Sequence, residues 1–391
     1  MAGVNTRFPT GRHAKRQALL AAVDSVRDVI VAHIDETEEG RTLAPAVVEA
    51  FRDSGLFSLK LPEVLGGAEA DPVVQMDVIE AVTLIDPGAA WSMFITGAVT
   101  GAVSANAPDE LIDILFEDGR FPCMAGTLKP DGLARPVEGG FRVSGRWGWG
   151  SGIRHADYVS ALVLCPELKT LVRCVVPVDE VIVHDNWHVM GMKGTGSCDY
   201  ELDDVFVPDL YAANMMTSPP IRGGALYRLG LPGYVVNEHA IFALAIARLA
   251  LNTVSEMAIE KKRGYGAQTT IADREVFQRL VAISDLRLKS CRAHMVEVLD
   301  RLFESAVVDG LPDPKTQGEA RAMAVFCTDE ALAVTGELFR YGGGSAVYLG
   351  SVLERCLRDL YTVQSHFVVN DSAYEVYGQQ MLGMIDDAPL R

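Results

Sequence analysis

Gly145-Arg146-Trp147-Gly148-Trp149-Gly150-Ser151-Gly152-Ile153-Arg154-His155-Ala156-Asp157 is the stretch around which the rest of the chain is read. It comes after a β-like run, Phe141–Ser144, and before another, Tyr158–Leu164. Two of the four tryptophans alternate here with glycines around one small hydroxyl, Ser151. Glycine lets a flat ring approach the backbone closely. Tryptophan supplies a wide, rigid apolar wall. The same residues also describe a glycine-weakened edge hairpin with two buried indoles, and composition alone favours that plainer reading.

The 391 residues, 49% hydrophobic and 22% charged, suit two or three globular domains. A formal net charge of −17 leaves little room for the basic face that nucleic acid requires. The seven cysteines (123, 165, 174, 198, 291, 327 and 356) form no C-x-x-C pair, so reduced, mostly buried thiols and a cytoplasmic location are expected. No signal-peptide core comes after Met1–Lys15, and no uninterrupted apolar run is long enough to span a membrane. No metal-ligand spacing stands out.

Residues 1–120 read as a helical domain by their period. Ala14–Ile34, Leu43–Ser54, Val73–Ile85, Ala89–Ala105 and Asp109–Phe116 are its helices, with Leu61–Gly67 as a turn. Residues 121–215 alternate short β-like runs with turns: Pro122–Leu128, Gly140–Ser144, Tyr158–Cys165, Leu171–Pro177, Val181–Asp185 and Tyr200–Val207. They predict a small antiparallel β-domain. Residues 216–391 are helical again, with long segments Val235–Arg263, Asp273–Ser305, Pro314–Tyr341 and Val352–Val369 and a short one at Ser372–Leu382. Such segments imply a helical bundle, interrupted by Gly342-Gly343-Gly344-Ser345.

This α+β order resembles the acyl-CoA dehydrogenase fold: an N-terminal helical domain, a middle antiparallel β-barrel and a C-terminal four-helix bundle. Four motifs in the family's order carry the resemblance. They are Leu61-Pro62 with Gly66-Gly67, Gly191–Ser197 with Asp204-Val205-Phe206-Val207-Pro208, Gly342–Gly344, and Arg358-Asp359. In the commonest dehydrogenase pattern a catalytic Glu stands nine residues after that arginine, with Gly-Thr behind it. Here the position is Phe367, Gly-Thr is missing, and His366 stands one residue earlier. The other branch of the fold is the two-component monooxygenases. It resembles this chain in Arg358-Asp359…His366 and in Gly145–Gly152 with His155-Ala156-Asp157.

The resemblance to that branch implies a cofactor and a reaction. Reduced flavin, FMN or FAD, would arrive from a separate NAD(P)H:flavin reductase and form a C(4a)-hydroperoxide with O2. An aromatic, heteroaromatic or amine small molecule would then be oxygenated. Ser151 would hydrogen-bond near the flavin N5, and His366 would be the base or hydrogen-bond partner of the substrate, titrating near neutrality. Trp149, Gly150 and Thr127 would meet the flavin. Arg263, Gly343, Gly344 and Ser345 would hold its phosphate. Trp91, Phe94, Thr195, Ser197 and Glu238 would line the substrate side. His155 and Asp157 would brace the hairpin. The assembly would be a homotetramer. Two alternatives stay open: an FAD-dependent acyl-CoA dehydrogenase with Glu238 as base, and a non-catalytic binder of flavin or a partner. For most of these side chains core packing or capping is the competing reading.

Overall fold

Helix starts and stops obey the local chemistry of the chain. In the computed structural model, which describes residues 7–117, 119–215, 219–262, 264 and 268–385, six helices come first. They are α1 (Arg12–Ala32), α2 (Ile34–Gly40), α3 (Pro45–Ser54), α4 (Pro72–Thr83), α5 (Pro87–Asn106) and α6 (Asp109–Leu115). In α1 the buried residues Leu19, Val23, Val26 and Ile30 recur every three or four positions, one stripe of a helix. Pro45 opens α3 and Gly55, at φ +81°, ends it in the left-handed conformation that glycine adopts without strain. The small residues of α5 bury it along most of its length.

Eight strands come next: β1 (Met124–Gly126), β2 (Gly132–Val137), β3 (Gly140–Gly150), β4 (Tyr158–Cys165), β5 (Thr170–Pro177), β6 (Ile182–Val183), β7 (Cys198–Pro208) and β8 (Ala212–Asn214). They form one sheet in the order β6-β7-β3-β2-β4-β5-β8, with β1 added on β4. Two expectations need correction. The sheet is mixed, since β1 and β2 both run parallel to β4. It is also open: among the described residues no pairing joins β6 to β8, so it does not close into a barrel. Its terminal strands, of two and three residues, are too short to offer a closing ladder. The sequence reading also missed β2, where Gly132 and Pro136 resemble turn residues. Pro136 is tolerated because β4 pairs only with Gly132 and Leu133, leaving the rest of β2 bonded on one side.

The remaining helices are α7 (Gly230–Glu260), α8 (Glu275–Val308), α9 (Pro314–Gly342), α10 (Val352–Val363) and α11 (Ser372–Met381). α7, α8 and α9 pack on one another, α10 packs on α7 and α9, and α11 packs on α9. α7 is long and apolar enough to cross a membrane, yet 61% of its most apolar window is buried inside the protein. Asn237, Glu238, His239 and Arg248 interrupt its apolar run. α10 stops six residues short of the Val369 expected for it, and a short 3-10 turn, Phe367–Val369, comes after it. The chain divides into two compact units. One holds the chain up to Val74, Gly88–Val189 and Lys193–Tyr227; the other holds Gln75–Pro87, Met190–Met192 and the chain from Arg228.

Trp147 shows what several glycines of the opening stretch do. Its indole is fully buried, stacks on Tyr200 at 5.3 Å between centroids, and donates to the Leu162 carbonyl at 3.0 Å. Gly132 and Gly145 face each other across β2 and β3. A Cβ on Gly132 would lie 2.3 Å from the Trp147 ring, and one on Gly145 would lie 2.9 Å from it and 2.5 Å from the Gly132 backbone. These two glycines make room for an internal ring. Gly132→Ala should therefore cost roughly 1–3 kcal/mol, the usual penalty of overpacking. Urea unfolding and the near-ultraviolet signal of Trp147 will check this; wild-type stability would mean that the ring moves aside freely.

Candidate functional site

A single extra residue aims Ser151. In the β3–β7 ladder Trp147 pairs with Tyr200 and Gly150 with Cys198, so Gly148 and Trp149 together oppose Asp199. This bulge puts Trp149 at φ +66°, a left-handed conformation that costs a bulky side chain about 1–2 kcal/mol. The Ser151 amide closes the turn by donating to the Trp149 carbonyl at 2.9 Å. Gly152, at φ +77°, donates to the Thr195 carbonyl at 2.9 Å. The chain is thereby bent so that Ser151 is buried while Trp149 remains 54% exposed.

Ser151 joins a buried hydroxyl cluster. Its Oγ accepts from the Trp91 indole N–H at 3.1 Å and lies 2.7 Å from Ser197 Oγ, which lies 2.7 Å from Thr195 Oγ1. A hydroxyl offers one proton and two lone pairs. Either hydroxyl can donate in each of these two contacts; when Thr195 donates to Ser197 and Ser197 to Ser151, both acceptor positions of Ser151 are filled and its own proton is left to donate. Trp91 packs edge-on against Phe94 on α5, with centroids 5.1 Å apart. Trp149 meets Trp187 edge-on at 5.4 Å. Thr127 faces the Tyr200 hydroxyl, and a Cβ on Gly150 would lie 2.8 Å from the same tyrosine ring. The first unit thus brings together Trp91, Phe94, Ser151, Thr195 and Ser197, and separately Thr127 and Gly150 around Tyr200. A cleft of about 650 Å3 lined by residues such as Arg142, Val176, Phe206 and Tyr211 includes none of them.

The His155-Ala156-Asp157 motif braces this bend unevenly. Asp157 accepts from Arg52 Nη2 at 2.7 Å and from the Cys123 amide at 2.8 Å, tying the turn to the start of β1. His155 is buried against Phe57, and among the described residues neither ring nitrogen has a hydrogen-bond partner. Burial, with the nearby Arg52 charge, pushes it down to about 4.

The second unit holds Gly342–Gly344, Arg358-Asp359 and the Met190–Met192 part of the glycine-rich loop, and the last two are halves of one contact. Asp359 accepts from the Met192 amide at 2.6 Å, and Arg358 donates to the Met190 carbonyl. A Cβ on Gly191 would lie 2.3 Å from the Arg358 carbonyl. Arg358-Asp359 therefore pins the Met190–Met192 loop, a structural role. His366 lies beyond α10 and caps the next turn, its Nδ1 accepting from the Val368 amide at 3.3 Å. Its ring stacks on His239 at 4.4 Å between centroids. Burial, then the neighbouring His239, hold it well below the usual histidine range, which corrects the expectation of titration near neutrality. Glu238 is fully buried in α7 beside His239 in sequence, not in the helix's first turn.

Gly343 adopts φ +63° after α9. Lys261 Nζ donates to the Gly342 carbonyl at 2.7 Å and to Ser345 Oγ at 2.6 Å. Arg263 lies outside the described residues. Lys261 is a cation that the structure places at the Gly343-Gly344-Ser345 turn, and sequence reading passed over it. His239 and Trp187 were missed as well. The signal for His239 was Glu238-His239, two ionisable residues inside an apolar run.

Comparison with known proteins fits this order of motifs. The acyl-CoA dehydrogenase N-terminal domain model matches residues 14–113, and the acyl-CoA dehydrogenase C-terminal domain model matches residues 238–371. The chain belongs to the acyl-CoA dehydrogenase family. Indole-3-acetate monooxygenase of Pseudomonas putida is 28% identical, over 96% of both chains. The oxygenase component of FADH(2)-dependent resorcinol hydroxylase from a Rhizobium species is 26% identical, over 94% of both. Among solved structures XiaF from Streptomyces, in complex with FADH2 and glycerol, shares the fold with a TM-score of 0.87 and 23% identity, over 96% of this chain and 97% of that one.

His155 gives a stability test with a definite sign. An unfolded chain takes a proton at this imidazole near pH 6.5, whereas the folded chain takes it only near 4. Between those values the unfolded state binds more protons, so stability falls as pH is lowered. The loss is roughly 3 kcal/mol across that window, and it levels off below pH 4. His155→Phe should remove this component. Urea unfolding at pH 7 and pH 4.5 should show the variant losing less stability than the wild type; equal losses would place the acid sensitivity elsewhere.

Proposed function

We propose that this protein is the oxygenase component of a two-component flavin-dependent monooxygenase. It takes reduced FMN or FAD from a separate NAD(P)H:flavin reductase and oxygenates an aromatic, heteroaromatic or amine small molecule with O2. The observation that carries this reading is the buried Ser151 hydroxyl, which accepts from Trp91 and shares a hydrogen bond with Ser197. Phe367 supports it further, because the carboxylate of the common dehydrogenase pattern has no counterpart there. The names of the relatives, monooxygenases and hydroxylases across nearly the whole chain, agree.

The residues present fit a flavin by their chemistry. Ser151 supplies a buried hydroxyl that can donate to a ring nitrogen when Ser197 donates to it. Trp149 supplies an exposed aromatic face. Lys261 with Gly343, Gly344 and Ser345 supplies a cation, backbone amides and a hydroxyl for phosphate. Bound reduced flavin supplies the electrons that activate O2. The apolar walls of Trp91 and Phe94 exclude water, which otherwise diverts reduced oxygen to hydrogen peroxide. His366 orients the substrate through its hydroxyl or nitrogen. Exposed apolar side chains at Val347, Tyr348 and Leu349, the last 81% exposed, support assembly as a homotetramer. The seven buried free thiols suit the cytoplasm.

Purified protein given reduced flavin, O2 and indole or a simple phenol should form a hydroxylated product carrying one oxygen atom from O2. Reduction of tightly bound FAD by an acyl thioester would instead favour the dehydrogenase with Glu238 as base. No affinity for either flavin would favour the non-catalytic binder. Ser151→Ala should leave the fold intact and release roughly tenfold more hydrogen peroxide per reduced flavin, the worth of one good hydrogen bond. Unchanged coupling of product to flavin would remove Ser151 from the site.

A further inference from the structure

His239 and His366 are stacked and buried, and the backbone fixes the proton of each on a different nitrogen. A peptide N–H only donates, so the Val368 amide at 3.3 Å requires a lone pair on His366 Nδ1. The proton of neutral His366 therefore sits on Nε2. A peptide carbonyl only accepts, so the Val235 carbonyl at 3.0 Å requires a proton on His239 Nδ1. The lone pair of neutral His239 therefore sits on Nε2. The two rings, 4.4 Å apart and inclined by 29°, are opposite tautomers.

We propose that they divide the proton chemistry between them: His366 is a hydrogen-bond donor to the substrate heteroatom, and His239 receives the proton. This rests on the monooxygenase reading above. His366 is poorly built as a base, since its Nε2 already carries hydrogen. Protonation at Nδ1 would set two N–H groups against each other and lose the cap on the turn. On accepting a proton at Nε2 His239 keeps its Nδ1–H bond to Val235, and that carbonyl then faces an imidazolium, which strengthens the bond. In the step proposed, the substrate O–H or N–H bond breaks, an N–H bond forms at His239 Nε2, and no electrons change hands. The close stacking disfavours charge on both rings at once, which suits a pair carrying one proton between them.

The test reads the tautomers directly. Protein labelled with 15N in histidine should show, by ring-nitrogen chemical shifts, one Nδ1–H and one Nε2–H imidazole assignable to this pair. The first should vanish in His239→Asn, whose amide can still donate to Val235, and the second in His366→Gln, whose amide still offers a donor. Reversed tautomers in the wild-type protein would overturn the proposal, whether or not any substrate is turned over. With reduced FMN, O2 and indole, His366→Gln should lower product formation by about tenfold, the worth of one good hydrogen bond. His239→Asn should lose ~10²-fold or more, the usual contribution of a general base. Product formation by His239→Asn at the wild-type rate would also overturn it. Absence of product from the wild-type protein would count against the monooxygenase reading and leave the tautomer result to decide the assignment.

Discussion

One extra residue in β3 governs the first unit. Because Gly148 and Trp149 together face Asp199, the strand turns and Ser151 becomes buried where an unbroken alternation would carry on along the sheet. The cost is a tryptophan held at positive φ, and such strain persists only where the surroundings over-determine it. Here they do. The Ser151 and Gly152 amides, the Trp91 indole and the Ser197 hydroxyl all hold the bend. Strain of about 1–2 kcal/mol is small against several hydrogen bonds worth about 1 kcal/mol each. The bulge is thus tolerable in a folded domain and specific in what it aims.

In the second unit the comparable constraint is the grip of Arg358-Asp359 on Met190–Met192. It explains why motifs far apart in sequence occur together: glycine at 191 is required by the arginine's own backbone. The Arg-Asp pair is therefore scaffolding, and the proposed chemistry lies a turn further on, at His366. There the end of α10 matters, because a histidine left in a helix would have no Val368 amide directed at its ring. α10 ends at Val363, and the chain turns through Phe367–Val369 instead.

Periodicity made the helices legible, and α1, α3, α7 and α9 begin or end within a few residues of where spacing, proline or glycine put them. The middle region was legible as strands but not as a topology. β2 hides behind Gly132 and Pro136, and parallel pairing to β4 has no local signature. Gly145–Gly150 reads either as a stretch that holds a flat ring or as an edge hairpin; it is strand, and the space left by Gly145 is filled by Trp147. Ser151 was legible as the one hydroxyl in that stretch. Its partners were not, since Trp91, Thr195 and Ser197 come from distant segments and converge only in the fold. His239 and Lys261 were hidden for the same reason: each acquires meaning from a neighbour more than 80 residues away, His366 and Ser345 respectively.

The proposed chemistry requires that this chain receive its flavin already reduced. Anaerobic titration of the purified protein with oxidised and reduced forms of both FMN and FAD tests it most directly. One flavin should bind at least about tenfold more tightly when reduced, about 1.4 kcal/mol, and little flavin should survive purification. Retention of oxidised FAD through purification, with no preference for the reduced form, would contradict it.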